Sequence, residues 1–176
     1  CMRKLVFLLM VVATGLNAQD GIKTFRHEIK INTLNLLLGN PDLSYEYLPD
    51  SRSGVGFFAN INVDKNRLWD YDYMLGPYYR FYTGKKHASG FFIEGGVVVF
   101  GERVVTGYYY DPETFTGHDI YVKEIGFGPS LAIGGKFIIA ERTVFEFFGG
   151  LGRNFRGTEH GSDIFSRFGI SFGKRF

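Results

Sequence analysis

From Ile125 to Phe137 the chain alternates with a period of two, with Ile125, Phe127, Pro129, Leu131, Ile133 and Phe137 on one face and Glu124, Gly126, Gly128, Ser130, Ala132, Gly134 and Lys136 on the other. That is the period of a β-strand, whose successive side chains point to opposite faces. The second face is small or charged throughout, and this decides between environments. A water-soluble sandwich or ligand-binding barrel keeps its bulk inside and its charges outside, whereas a membrane barrel turns an apolar belt to lipid and a polar face to its lumen. Glycine and serine opposite large residues leave room for a few long polar side chains, which suits the narrow interior of a barrel of about eight strands.

Eight segments of this kind follow one another between clusters of Gly, Pro, Asn and Asp, at 27 to 38, 42 to 48, 54 to 64, 72 to 83, 90 to 105, 119 to 138, 142 to 154 and 165 to 176. The 24 Gly, 19 Phe and 11 Tyr favour strands and tight turns over helices. With the first segment starting on the periplasmic side, the links at 49 to 54, 83 to 90 and 138 to 142 are short and those at 65 to 71, 104 to 119 and 154 to 164 longer, the asymmetry of outer-membrane barrels. The expected fold is all-β, an eight-stranded antiparallel up-and-down transmembrane β-barrel.

Residues 1–18 are expected to be a signal peptide, with Arg3 and Lys4 ahead of an apolar run from Leu5 to Ala13 and cleavage after Ala18, which leaves 19–176 as the barrel. Cys1 precedes Met2 and is expected to be a scar. As the single cysteine it excludes an internal disulfide and a cysteine-based metal cluster. The formal charge of +2 is scattered along the chain, which argues against a nucleic-acid partner. The histidines His27, His87, His118 and His160 fall on different segments without ligand spacing, so neither a metal nor another cofactor is expected.

Strand phasing assigns Lys30, Glu46, Arg80, Glu94, Glu124, Lys136, Glu146, Arg167 and Arg175 to the lumen as ion pairs. Counting along the strands splits them into two layers, with Glu46, Glu124 and Arg167 nearer the outside. Lys123 and Lys174 fall on the lipid face near strand ends, and Tyr45, Tyr47, Tyr71, Tyr73, Tyr79 and Tyr121 are expected to form interfacial girdles. Phe168, Ile170, Phe172 and Phe176 share one face of the last segment, and Phe176 resembles the terminal aromatic signal read by the barrel assembly machinery.

The stretches Ile31–Gly39 (INTLNLLLG), Leu43–Tyr47 (LSYEY), Gly76–Tyr82 (GPYYRFY) and Gly90–Glu94 (GFFIE) are similar to a family of small outer-membrane barrels catalogued as a domain of unknown function. The resemblance covers most of the mature chain. It implies the barrel fold and brings no activity or catalytic residues with it.

Functional expectations then centre on the loops. His160, Ser162 and Asp163 resemble in part the His-x-Ser-Asn motif of outer-membrane lipid A deacylases, which makes His160 and Ser162 the catalytic candidates. The longest outer link reads as a hairpin in which strands five and six continue beyond the membrane, presenting Tyr108, Tyr109, Tyr110 and Phe115 to another surface protein across 104 to 119. The preferred function is a non-enzymatic structural or interaction barrel in the cell outer membrane, surrounded by outer-membrane lipid and lipopolysaccharide. A lipid-modifying hydrolase and a small-solute channel are the alternatives.

Overall fold

The computed structural model describes residues 25–63, 71–111, 116–139, 142–156 and 163–176. Residues 1–18, the expected signal peptide, lie outside them. Eight antiparallel strands follow in chain order: β1 (His27–Asn32), β2 (Asp42–Tyr47), β3 (Ser53–Ile61), β4 (Tyr71–Tyr82), β5 (Gly90–Asp111), β6 (Thr116–Ile139), β7 (Thr143–Arg153) and β8 (Ile164–Arg175). Each pairs with the next and β8 pairs back onto β1, so the sheet closes into a barrel. At the closure the backbones of His27 and Phe176 exchange two hydrogen bonds and their rings stack.

The barrel is inside out relative to a water-soluble one. Phe127, Leu131, Ile133, Phe137, Phe147, Leu151 and Phe172 stand exposed on the wall, while Glu28, Lys30, Glu46, Arg80, Glu94, Lys136 and Glu146 are buried inside it. Burying charge and exposing bulk on this scale is unfavourable in water and is the arrangement that lipid favours. No described helix is long and apolar enough to cross a membrane.

One end carries the short turns at 48–52 and 83–89, and the other carries the longer connections. Asp50 organises the first turn by accepting from the backbone N–H groups of Arg52 and Ser53, and the Arg52 bond holds its carboxyl below the ordinary carboxylate range. The second turn folds over the lumen, where Arg175 donates to the carbonyls of His87 and Ala88. Partial burial and the nearby Arg175 lower the His87 imidazole from its usual value.

The wall departs from the expected pattern in the segment 27 to 38. The strand stops at Asn32, and Thr33–Leu37 form a single helical turn, α1, ended by Gly39 at φ 81°, a left-handed conformation that glycine adopts without strain. Beyond Ser171 this leaves the edge of β8 without a strand neighbour on the β1 side. Side chains fill the gap. The Asn32 amide accepts from the backbone N–H groups of Asn35 and Ile170 and donates to the Phe168 carbonyl and to Asp42, and the Thr33 hydroxyl donates to the Ile170 carbonyl.

Asn32→Ala removes the helix cap and strands backbone groups of β8 at once. It is expected to cost about 2 kcal/mol, read as a lower midpoint in urea unfolding of the barrel in phospholipid vesicles, followed by circular dichroism.

Candidate functional site: the charged lumen and the protruding hairpin

The lumen charges form one alternating chain across the barrel. Arg175 pairs with Glu28 at 2.5 Å, Lys136 joins Glu28 at 2.8 Å to Glu46 at 3.1 Å, and Lys30 joins Glu46 at 2.5 Å to Glu146 at 2.9 Å. Arg80 continues it from Glu146 to Glu94, both at 2.7 Å, and Arg167 closes it on Glu94 at 2.9 Å. Every strand contributes except β3. There Gly54 and Gly56 face the lumen, and a Cβ at either would overlap the Glu46 carboxylate or the Tyr78 ring. The glycines of β3 are the space that the charges occupy.

Aromatic rings sheathe the cations. The Arg167 guanidinium lies 3.4 Å from the centre of the Phe58 ring, Arg80 sits between Tyr78 and Phe92, and Lys136 stands over Tyr82, whose hydroxyl donates to Glu46. Apolar clusters are buried on both sides of the charges. Leu48, Tyr82, Ala88 and Phe92 lie toward the turn end, and Phe58, Met74, Tyr78, Val98, Phe100 and Phe165 toward the loop end.

Eight of the nine lumen charges expected from the sequence meet in this chain. The separation into two layers does not hold. Glu46 sits near the turn end of β2, opposite Glu28, and Arg167 reaches Glu94, so the two groups merge. Glu124 is outside the network. It lies on β6 directly across from Glu102, also acidic, and its Oε2 has no hydrogen-bond partner among the described residues. Glu28 was missed, although the alternation of HEIKIN places it on the same face as Lys30. Tyr71 turns inward onto Phe100 instead of joining a girdle, because a bulge in β4 shifts the register between Tyr71 and Tyr73.

At the loop end β5 and β6 continue as an arm. Among the described residues β4 pairs with β5 as far as Glu102, and residues 103–111 pair with β6, roughly 30 Å at a strand's rise per residue. Tyr108, Tyr109 and Tyr110 are 67%, 57% and 51% exposed, on alternating faces. Phe115 lies outside the described residues. So do His160 and Ser162, while Asp163 is exposed at the start of β8.

A closed antiparallel meander of eight strands, an apolar outer wall and a charged, filled lumen together define a barrel of the outer-membrane type. Among solved structures it is similar to the crystal structure of the N-terminal β-barrel domain of Pseudomonas aeruginosa OprF, with a TM-score of 0.60 and 10% sequence identity over 85% of this chain and 96% of that one. At that identity the likeness is one of fold. No family model and no curated protein matches the chain.

Lys136 separates the opposed carboxylates of Glu28 and Glu46, so Lys136→Met leaves buried charge uncompensated and is expected to cost about 3 to 5 kcal/mol. Glu124→Gln relieves a like-charge pair and is expected to be neutral or stabilising. Urea midpoints of the two variants, measured side by side, check both.

Proposed function

We propose that this protein is a non-enzymatic barrel of the cell outer membrane, inserted by the barrel assembly machinery, with a plugged lumen and a role in structure and protein docking. The loop end faces outside and the short turns face the periplasm, as in other outer-membrane barrels. The observation that carries the reading is the continuous chain of ion pairs spanning the lumen between two apolar clusters. A solute path needs an open polar cross-section, and here paired side chains occupy it. The small cavity above Arg167, about 40 Å³ and lined by Asn35, Asn40, Asp42 and Asn60, has room for a few waters and lies on the loop-end side of the Arg167–Glu94 pair.

With the interior filled, the surface left for an encounter is the β5–β6 arm. Strand edges that pair with no described strand beyond Glu102 and three exposed tyrosines suit a protein partner, which can add a strand to the edge or seat the rings in pockets.

The purified protein in planar lipid bilayers is expected to show no steady conductance at neutral pH, and sustained single-channel openings would overturn the sealed lumen in favour of the channel. Deleting residues 106–118 is expected to leave a folded barrel that loses the proteins co-purifying with it in mild detergent. An unchanged set would remove the docking role.

A further inference from the structure

At the loop end the outer wall changes from apolar to cationic within one residue of the strand pattern. The outward series on β7 runs Phe145, Phe147, Gly149 and Leu151 and then reaches Arg153. On the neighbouring strands Arg103 and Lys123 lie directly across from each other, both outward, an arrangement that repels unless an anion compensates it. A single carboxylate serves both. Asp72, turned outward by the bulge in β4, stands 3.2 Å from Arg103 Nε and 3.8 Å from Lys123 Nζ. Arg156 extends the strip, donating through Nη1 to the Ile125 carbonyl. Among the described residues Asp72 is the carboxylate within ion-pair distance of these four cations, and Asp163 lies with Arg153 at the groove below.

Below these cations the wall is irregular. Pro129 has no N–H to give, the regular β6–β7 ladder ends at Ser130 and Gly152, and the next backbone bond between the two runs from the Phe155 N–H to the Phe127 carbonyl. The result is an open groove of about 520 Å³, flanked by Pro129, Leu131, Leu151 and Ile164, with Arg153 and Asp163 at its mouth. Under it, at Gly149, the outer face has no side chain and open space in front of it.

We propose that this strip seats an amphiphile carrying two phosphates above several acyl chains, the chemistry of lipid A. One phosphate lies on Arg153 and Arg156 and the other on Arg103 and Lys123, and an acyl chain runs down the groove over Leu131, Leu151 and Gly149. Asp163, on the β8 side of the mouth, disfavours a phosphate there and leaves the β6 side, beside Arg156, as its place. Phosphates satisfy several N–H donors of a guanidinium at once, which makes arginine the stronger half of each contact. The inference rests on the outer-membrane reading, with the loop end in the lipid leaflet that faces outside.

The test is native mass spectrometry of the folded full-length barrel in mild detergent, offered bisphosphorylated lipid A, its monophosphorylated form or phosphatidylcholine. The wild type is expected to retain bisphosphorylated lipid A about tenfold better than phosphatidylcholine, with the monophosphorylated form between them, as two charge-assisted contacts imply. Arg153→Gln combined with Arg156→Gln is expected to lose most of that preference. Lys174→Gln, at the opposite end of the wall, is expected to keep it. Equal retention of all three lipids, or a double variant that binds like the wild type, overturns the lipid seat while leaving the barrel reading intact. A chain that forms no folded barrel in detergent overturns both.

Discussion

Charge buried in the lumen has no bulk water to stabilise it, so each charged group must be neutralised by a neighbour on another strand. The rest of the barrel answers to that requirement. Glu28 and Glu46 face each other across β1 and β2 and are compatible because cations reach them from other positions: Lys136 from the far wall, on β6, bridges both, and Lys30 and Arg175 add to it. β3 yields its own side chains so that Glu46 and Tyr78 have volume to fill. The network also bears on register. Sliding any strand by one residue turns its lumen set toward lipid, where charge is costly, and leaves its partners unpaired inside. A strand with two apolar faces would carry no such penalty.

Short strands impose a second condition on the wall. β1 and β2 span six residues each, fewer than the nine to eleven that usually cross a bilayer as a strand. Backbone polar groups facing lipid cannot remain unpaired, so the chain between them must satisfy itself and its neighbour β8. One helical turn pairs its own groups, and Asn32 and Thr33 supply the side-chain donors and acceptors that a longer β1 would have offered through its backbone. The same asparagine caps the helix and fastens the seam where the β1–β8 ladder ends.

Period-two alternation made the strands legible in the sequence, because only that period separates Gly126 to Lys136 from Ile125 to Phe137 and only lipid rewards the large face. The same alternation identified the lumen charges. What it did not reveal was their depth. Arg167 does lie toward the loop end of β8, but its long side chain reaches Glu94; Glu46 lies two residues before the end of the 42 to 48 segment, where the chain enters the short 49 to 54 link, so its place at the turn end follows from the segment's direction and not from its face. The helix escaped for a related reason, since INTLNLLLG is apolar enough to read as strand and its leucines are spaced for either structure. Glu28 needed only the extension of a pattern already seen. Tyr71 needed knowledge of a bulge, which depends on pairing with β5 and leaves no local mark in the chain.

Adjacent residues at the top of the barrel carry opposite charge to opposite sides of the wall. Glu102 and Glu124 face each other on the lumen side, and one residue along each strand Arg103 and Lys123 face each other outside. A wall one strand thick therefore separates an acidic pair from a basic pair at the height where β4 stops and the arm begins. The β4 bulge gives up regular pairing to send Asp72 to the outer pair instead of adding a third carboxylate to the lumen. Regular alternation would have put Asp72 inside, beside Glu102 and Glu124, and left both outer cations without it. The bulge thus works against acidic crowding within and cationic crowding without.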